Sequence, residues 1–320
     1  MGPGPGRHLM RLGALTPVLT VAVFVTASAV AASAASAATH GTPATRAVIR
    51  AVPAAAQAKA RSFWTIARME SATPLGRTAA AARASTATPT PSPSPSPTPP
   101  PGTPNPTSFN GVPTVGALFF TTGSQAHFCT ASVVDSTTSS LLLTAAHCVY
   151  GSAPATNIAY VPEWHQGVSP YGSWPVQSVT VASGWQTSHN PALDFAFLRV
   201  TPPASSKKPI QAVTGGLTLT ANAGYAHPIY VIGYNDTGSQ PIGCATSSFE
   251  FESGQMEFYC NSFWDGTSGG PWIANFNSVT GGGELIGNIG GYEQGGDEPW
   301  ASFSDYYSSS ILALFAQAEG

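Results

Sequence analysis

The run from Thr88 to Thr107, TPTPSPSPSPTPPPGTPNPT, sets the tightest limit on how this chain folds. Proline locks φ and removes an amide donor, so at alternate positions it excludes both a helix and an interior strand. Such a run takes extended polyproline II and acts as a semi-rigid spacer. Residues 88–107 therefore read as a linker, with a Ser/Thr/Pro composition that suits O-glycosylation. The main folded unit is expected to begin near Ser108.

On the N-terminal side, residues 1–37 read as an export signal. Arg7 and Arg11 precede an apolar run from Leu12 to Ala32, and Ala35-Ser36-Ala37 offers a small-x-small cleavage site. Left uncut, the run is long enough to anchor the chain in a membrane. Residues 38–87 are rich in Ala and Arg, with Phe63, Trp64 and Ile66 as the one bulky cluster. That is too little apolar surface for an independent core, so this segment is expected to be a disordered pro-segment or stalk.

Charge divides the same way. Residues 1–107 hold nine basic residues against one acid, Glu70; residues 108–320 hold three against fourteen. Nucleic-acid binding needs a Lys/Arg footprint, which the acidic body lacks. Opposite charge does favour encounter between the basic 38–87 segment and the body, so the chain's own pro-segment is a candidate partner.

Within 108–320 the pattern is one of short strands bounded by Gly, Asn, Pro and Ser. They fall at 114–120, 127–134, 139–145, 176–182, 194–200, 229–234, 256–260, 271–276 and 284–291. One amphipathic helix suits Tyr306, Tyr307, Ile311, Leu312, Leu314 and Phe315. Many short strands over some 210 residues indicate an all-β sandwich or barrel pair.

All four cysteines, Cys129, Cys148, Cys244 and Cys260, lie in this body. An even count in an exported chain argues for two disulfides. Three pairings satisfy the count; the nearest-neighbour one closes two short loops, each worth ~3 kcal/mol in the chain-entropy model. No C-x₂-C or paired-histidine spacing supports a metal site.

Three stretches carry chemistry. WDGTSGGPW (Trp264 to Trp272) sets Ser268 among Gly266, Gly269 and Gly270. Such a turn lets a hydroxyl and two backbone N–H groups converge, as oxyanion stabilisation requires. His147 follows the apolar run LLLTAAHCV and sits beside Cys148, where a bridge would pin it; a pinned imidazole suits a general base. Asp194 opens DFAFLRV, and a carboxylate at the edge of an apolar strand needs a partner such as a histidine N–H. The other histidines, His8, His40, His127, His165, His189 and His227, have no distinctive context.

Taken together, TAAHC (144–148), D-x-A-x-L (194–198) and G-x-S-G-G-P (266–271) resemble the chymotrypsin-like (trypsin-fold) serine endopeptidases, in the order His, Asp, Ser. The resemblance spans nearly all of 108–320. YVPEWHQG…PYGSW (160–174) and IGYN (232–235) look closest to secreted bacterial members, including the glutamyl-endopeptidase-like branch. It implies two six-stranded Greek-key barrels with the site between them and a C-terminal helix. It also implies catalysis by Ser268, His147 and Asp194, an oxyanion hole from the N–H groups of Gly266 and Ser268, and no cofactor or metal.

Two departures bear on activation and specificity. Thr267 stands where trypsin-like zymogens have an Asp that pairs with a freed N-terminus, and threonine cannot make that ion pair. Ser262 stands where trypsins carry the acid that selects Lys or Arg. The substrate pocket is expected from Ser262, Phe263 and Trp264 with Asn288, Gly290 and Gly291. The expected protein is thus a monomeric, secreted endopeptidase, free or cell-wall associated, acting on proteins or peptides. The alternative is an inactive binding module of the same fold on a proline-rich stalk.

Overall fold

The computed structural model describes residues 1–2, 45–76, 98–151, 153–236 and 238–320. The signal read over residues 1–37, apart from residues 1–2, lies outside the described residues, as do 38–44, 77–87 and the first half of the linker.

The strands of the N-terminal half are β1 (Ala47–Ala51), β2 (Thr73–Pro74), β3 (Thr107–Ser108), β4 (Val115–Thr122), β5 (Gln125–Val134), β6 (Leu141–Thr144), β7 (Thr156–Pro162), β8 (Trp174–Ala182) and β9 (Ala196–Val200). Those of the C-terminal half are β10 (Thr218–Leu219), β11 (His227–Gly233), β12 (Ile242–Glu250), β13 (Gln255–Tyr259), β14 (Pro271–Asn277), β15 (Gly282–Asn288) and β16 (Ala301–Asp305). The helices are α1 (Ala54–Phe63), α2 (Ile66–Glu70), α3 (Ala146–Val149), α4 (Ser183–Ser188), α5 (Gln211–Thr214) and α6 (Ser309–Glu319).

Six strands close a barrel in the order β8-β7-β4-β5-β6-β9, with β9 pairing back to β8. The second sheet runs β15-β14-β11-β12-β13-β16, with β10 added parallel on β15 and β3 antiparallel on β12. Its two ends meet where Asn288 N donates to Ser304 Oγ (3.0 Å) and Gly290 N to the Phe303 carbonyl (3.0 Å). The cysteines pair as nearest neighbours, Cys129–Cys148 and Cys244–Cys260.

The N-terminal segment departs from expectation. Residues 45–76 are folded onto the first barrel. β1 pairs with β8 along five residues, and Gln317 of α6 brackets it by accepting from Ala47 N (2.8 Å) and donating to the Thr45 carbonyl (3.2 Å). Strand β4 explains the docking. It is apolar on both faces: Leu118 and Phe120 enter the barrel core, while Ala117 and Phe119 face outward. Trp64 and Met69 cover that outer face together with Phe128, Trp164 and Tyr234. Trp64 is 5% exposed, 5.4 Å from the Phe119 ring, and donates Nε1–H to the Asn157 carbonyl. The segment lacks an independent core but completes one that the barrel leaves open, and burial of one large aromatic is worth several kcal/mol by area.

Two boundaries also move. The end of the linker is bound to the body before Ser108: Asn261 N donates to the Pro104 carbonyl (2.9 Å), and Thr107 pairs with Gly243. Polyproline II leaves its backbone groups unpaired, so a neighbouring loop can capture them. The terminal helix starts at Ser309, where the Ser308 hydroxyl accepts from Ser310 N, rather than at Tyr306. Tyr307 instead points inward and is buried.

Candidate active site

Strand register brings His147 and Asp194 together. β6 ends at Thr144, paired with Ala196 at the start of β9. The chain therefore leaves β6 toward His147 at the same barrel end where Asp194 precedes β9. Asp194 is fully buried and accepts three hydrogen bonds. Oδ1 takes His147 N (2.9 Å); Oδ2 takes His147 Nδ1 (2.8 Å) and Gly291 N (3.0 Å). A carboxylate only accepts, so the ring proton sits on Nδ1 and Nε2 is left with a free lone pair.

Ser268 lies in the turn before β14. Gly269 N donates to the Ile289 carbonyl (2.7 Å) and Ile289 N to the Gly270 carbonyl (2.9 Å), which stitch the turn to the end of β15. Across the interface, Thr130 N donates to the Ser268 carbonyl (2.8 Å), and Thr130 Oγ1 to that of Gly266 (3.1 Å). Cys148 Sγ lies 3.9 Å from the same Ser268 carbonyl oxygen, so the serine turn abuts the residue next to His147. Ser268 Oγ and His147 Nε2 are both buried with no hydrogen-bond partner among the described residues. The N–H groups of Gly266 and Ser268 likewise have no acceptor there. Gly266 holds φ +91°, which L side chains rarely adopt, and its open face is filled by the Phe128 ring.

Thr267 braces the turn locally. Its hydroxyl donates to the Trp264 carbonyl (2.7 Å), as does its N–H (3.2 Å), and its side chain packs on Gly233.

Of the six residues read as a substrate pocket, Phe263 and Trp264 line a pocket of about 110 Å³ with Asp265 and residues 296–299. Ser262 is not among its lining residues. Asn288, Gly290 and Gly291 pack around Asp194. Asn288 Nδ2 donates to the Asp194 carbonyl (3.3 Å), and a Cβ on Gly290 would stand 3.0 Å from the same oxygen. Tyr307 OH in turn donates to Asn288 Oδ1 (2.7 Å). Together these contacts clamp the acid.

The sequence reading missed Asp305. It is fully buried at the end of β16, and neither carboxyl oxygen has a hydrogen-bond partner among the described residues. Burial, and then the nearby charge of Asp194, push its carboxyl well above the ordinary carboxylate range. Burial also raises the Tyr307 hydroxyl, with Asp305 and Asp194 adding to the shift, so it stays a neutral donor to Asn288. Cys129, His147 and Cys148 bring potential metal-ligand atoms within 4.8 Å of one another, but the two sulfurs are joined and no thiolate remains.

A family model described as Trypsin matches residues 103–299. Among solved structures the chain is similar to the protease Anisep from Arthrobacter nicotinovorans, at 24% identity over 66% of this chain and 98% of that one, TM-score 0.59. It is similar to the thermostable serine protease AL20 from an extremophilic microorganism at 23% identity, over 65% and 97%, TM-score 0.58. A Glu endopeptidase in complex with MPD matches at 16% identity, over 68% and 98%, TM-score 0.53. At these identities the likeness carries the fold. No curated protein matches the chain.

Proposed function

Because the chain belongs to the trypsin family of serine endopeptidases, we propose that it is an exported enzyme cutting peptide bonds with Ser268, His147 and Asp194. The observation that carries this is the His147 Nδ1–Asp194 Oδ2 bond of 2.8 Å beside a serine turn with two N–H groups to spare. Ser268 Oγ attacks the scissile carbonyl carbon and passes its proton to His147 Nε2. The carbonyl oxygen becomes an oxyanion and takes hydrogen bonds from the N–H groups of Gly266 and Ser268. Asp194 holds the imidazole in the correct tautomer and stabilises the imidazolium. The intermediate collapses, the C–N bond breaks, and His147 returns the proton to the leaving amine. Water then attacks the acyl-enzyme by the reverse sequence of proton transfers and frees Ser268. The chemistry calls on no metal or cofactor.

In this reading residues 1–37 are a removable signal, 38–87 a pro-segment, 88–107 a linker and 108–320 the catalytic domain of a monomer acting on protein or peptide substrates outside the cell. Two disulfides in the body suit that compartment.

The test is prolonged fluorophosphonate labelling of the full chain beside its Ser268→Ala variant, with cleavage sites mapped on a peptide library. Labelling confined to the wild-type serine, with cuts clustered after one residue type, supports the reading. Labelling that persists in Ser268→Ala would overturn it.

A further inference from the structure

The triad read above is assembled from two halves of the fold. Asp194 lies just before β9 of the first barrel, whereas Ser268 lies just before β14 of the second sheet. The distance between them has to be fixed by contacts that cross from one half to the other. Residues 288–291, at the end of β15, touch both sides. Gly269 N, next to the nucleophile, donates to the Ile289 carbonyl (2.7 Å), and Gly291 N donates to Asp194 Oδ2 (3.0 Å). The Asn288 side chain joins these two contacts. Its Nδ2 donates to the same Ile289 carbonyl (3.3 Å) and to the Asp194 carbonyl (3.3 Å). One amide group thus links the carbonyl that anchors the serine turn to the main chain of the acid.

A side-chain amide offers two donors on its nitrogen and an acceptor oxygen. Asn288 is 0% exposed and uses both ends, because the Tyr307 hydroxyl donates to its Oδ1 (2.7 Å). Reversing the amide would turn its oxygen toward two carbonyl oxygens, so the orientation is determined. Tyr307 is itself held in place. Its ring meets that of Phe195, the neighbour of Asp194, edge-on at 6.2 Å. It also precedes α6, whose Ile311 and Leu314 sit in the core of the first barrel. The chain therefore crosses from the second sheet back to the first barrel at Tyr307. Gly290 leaves room for the link: a Cβ there would stand 2.8 Å from Asn288 Nδ2 and 3.0 Å from the Asp194 carbonyl oxygen. A buried polar network with its partners in place favours one arrangement, since any other strands a donor or an acceptor.

We propose that Asn288 and Tyr307 are positioning residues for the hydrolysis, setting Asp194, and through it the His147 ring, at the distance from Ser268 that proton transfer needs. This rests on the active-site reading above. Asp194 Oδ2 holds His147 Nδ1 at 2.8 Å, so a shift of the acid carries the imidazole with it. A misplacement of about 1 Å at reacting groups can cost ~10²-fold in rate. The effect falls on kcat, because the link acts on the proton-transfer groups.

The test measures peptide hydrolysis by the full chain and its variants, with near-UV circular dichroism reporting folding. Asn288→Leu keeps the side-chain volume and removes the whole link; kcat is expected to fall about a hundredfold with KM within about threefold of wild type. Tyr307→Phe keeps the ring and removes one hydrogen bond, for an expected loss of about fivefold in kcat. Because Asn288 acts through Asp194, adding Asn288→Leu to Asp194→Asn is expected to cost less than about threefold more. The downfield proton resonance of His147 Nδ1–H, identified by its loss in His147→Ala, is expected to shift in Asn288→Leu. Wild-type kcat in both folded variants would overturn the positioning role, as would a change confined to KM. So would a full further hundredfold loss in the Asp194→Asn background. If Asn288→Leu does not fold, Tyr307→Phe decides, and an unchanged kcat there overturns the role. Hydrolysis that is missing in wild type, or that survives in Ser268→Ala, would overturn the active-site reading and this inference with it.

Discussion

Asp194→Asn changes one oxygen to an amide nitrogen at a site with three donors and no spare acceptor. In one orientation the Asn oxygen takes His147 N, and the amide nitrogen faces His147 Nδ1 and Gly291 N. The imidazole must then shift its proton to Nε2, where it can no longer accept from Ser268 Oγ, and the Gly291 N–H is stranded. In the other orientation the oxygen keeps Nδ1 and Gly291 N, but the amide nitrogen meets the buried His147 N–H. Each orientation leaves a buried donor unmet, at about 1–3 kcal/mol of stability. The first also removes the base, an effect of ~10⁴ in kcat when the acid of such a triad is changed this way. That corresponds to about 5.5 kcal/mol in the activation barrier. The assay is kcat on a peptide substrate at pH 7, with urea unfolding in parallel. A variant that keeps kcat within tenfold of its parent would refute the roles drawn from this hydrogen-bond set.

Asp305→Asn is expected to stabilise the protein at alkaline pH. Its carboxyl titrates higher in the folded state than in the unfolded chain, where the value is ~3.9, so the folded state holds a proton the unfolded chain has released. Stability therefore falls as pH rises from about 4 through the folded value, and the variant escapes that loss. Thermal unfolding should give the variant the higher Tm at pH 8 and the same Tm near pH 3; a lower Tm at pH 8 would contradict the assignment. Gly269→Ala is expected to disrupt the serine turn. Gly269 has φ +80°, and a Cβ there would strike the Thr130 carbonyl and Thr144 Oγ1 and stand 2.9 Å from Ala145 N. Left-handed strain and overpacking each cost ~1–3 kcal/mol, so the denaturation midpoint and the Ser268 labelling rate should both drop. Unchanged values in both would show that the turn is not as tight as described.

Much of the chain could be read without its fold, where local pattern and burial agree. The strands rich in Val, Ile, Leu and Phe, such as β4, β6 and β9, stood out because their apolar residues are contiguous. β7, β12 and β16 did not. β16 reads Ala-Ser-Phe-Ser-Asp and is buried throughout, but its serines and aspartate mark it as a surface loop to any hydrophobicity rule. Its burial depends on partners from β13 and β15, which lie elsewhere in the chain. The candidate site divides similarly. Ser268, His147 and Asp194 each carry a local signature, whereas Asn288, Gly290 and Gly291 have one that fits a pocket wall as well as a clamp.

The sequence by itself determined the parts with short-range causes. The glycines around Ser268 permit its turn, the proline run from Thr88 to Pro106 disfavours a helix or an interior strand there, and the cysteine count argues for two bridges. Only the tertiary structure decided where polar and apolar groups find partners. Three donors converge on Asp194 from two strand ends, Asp305 is buried with no hydrogen-bond partner for its carboxyl among the described residues, and Trp64 is buried in a core built by residues between 117 and 164 together with Tyr234. The physical reason is that backbone preference is a property of neighbours in sequence, whereas desolvation is a property of neighbours in space. A segment too poor in apolar residues to fold alone can therefore be ordered once another part of the chain offers an unfinished face.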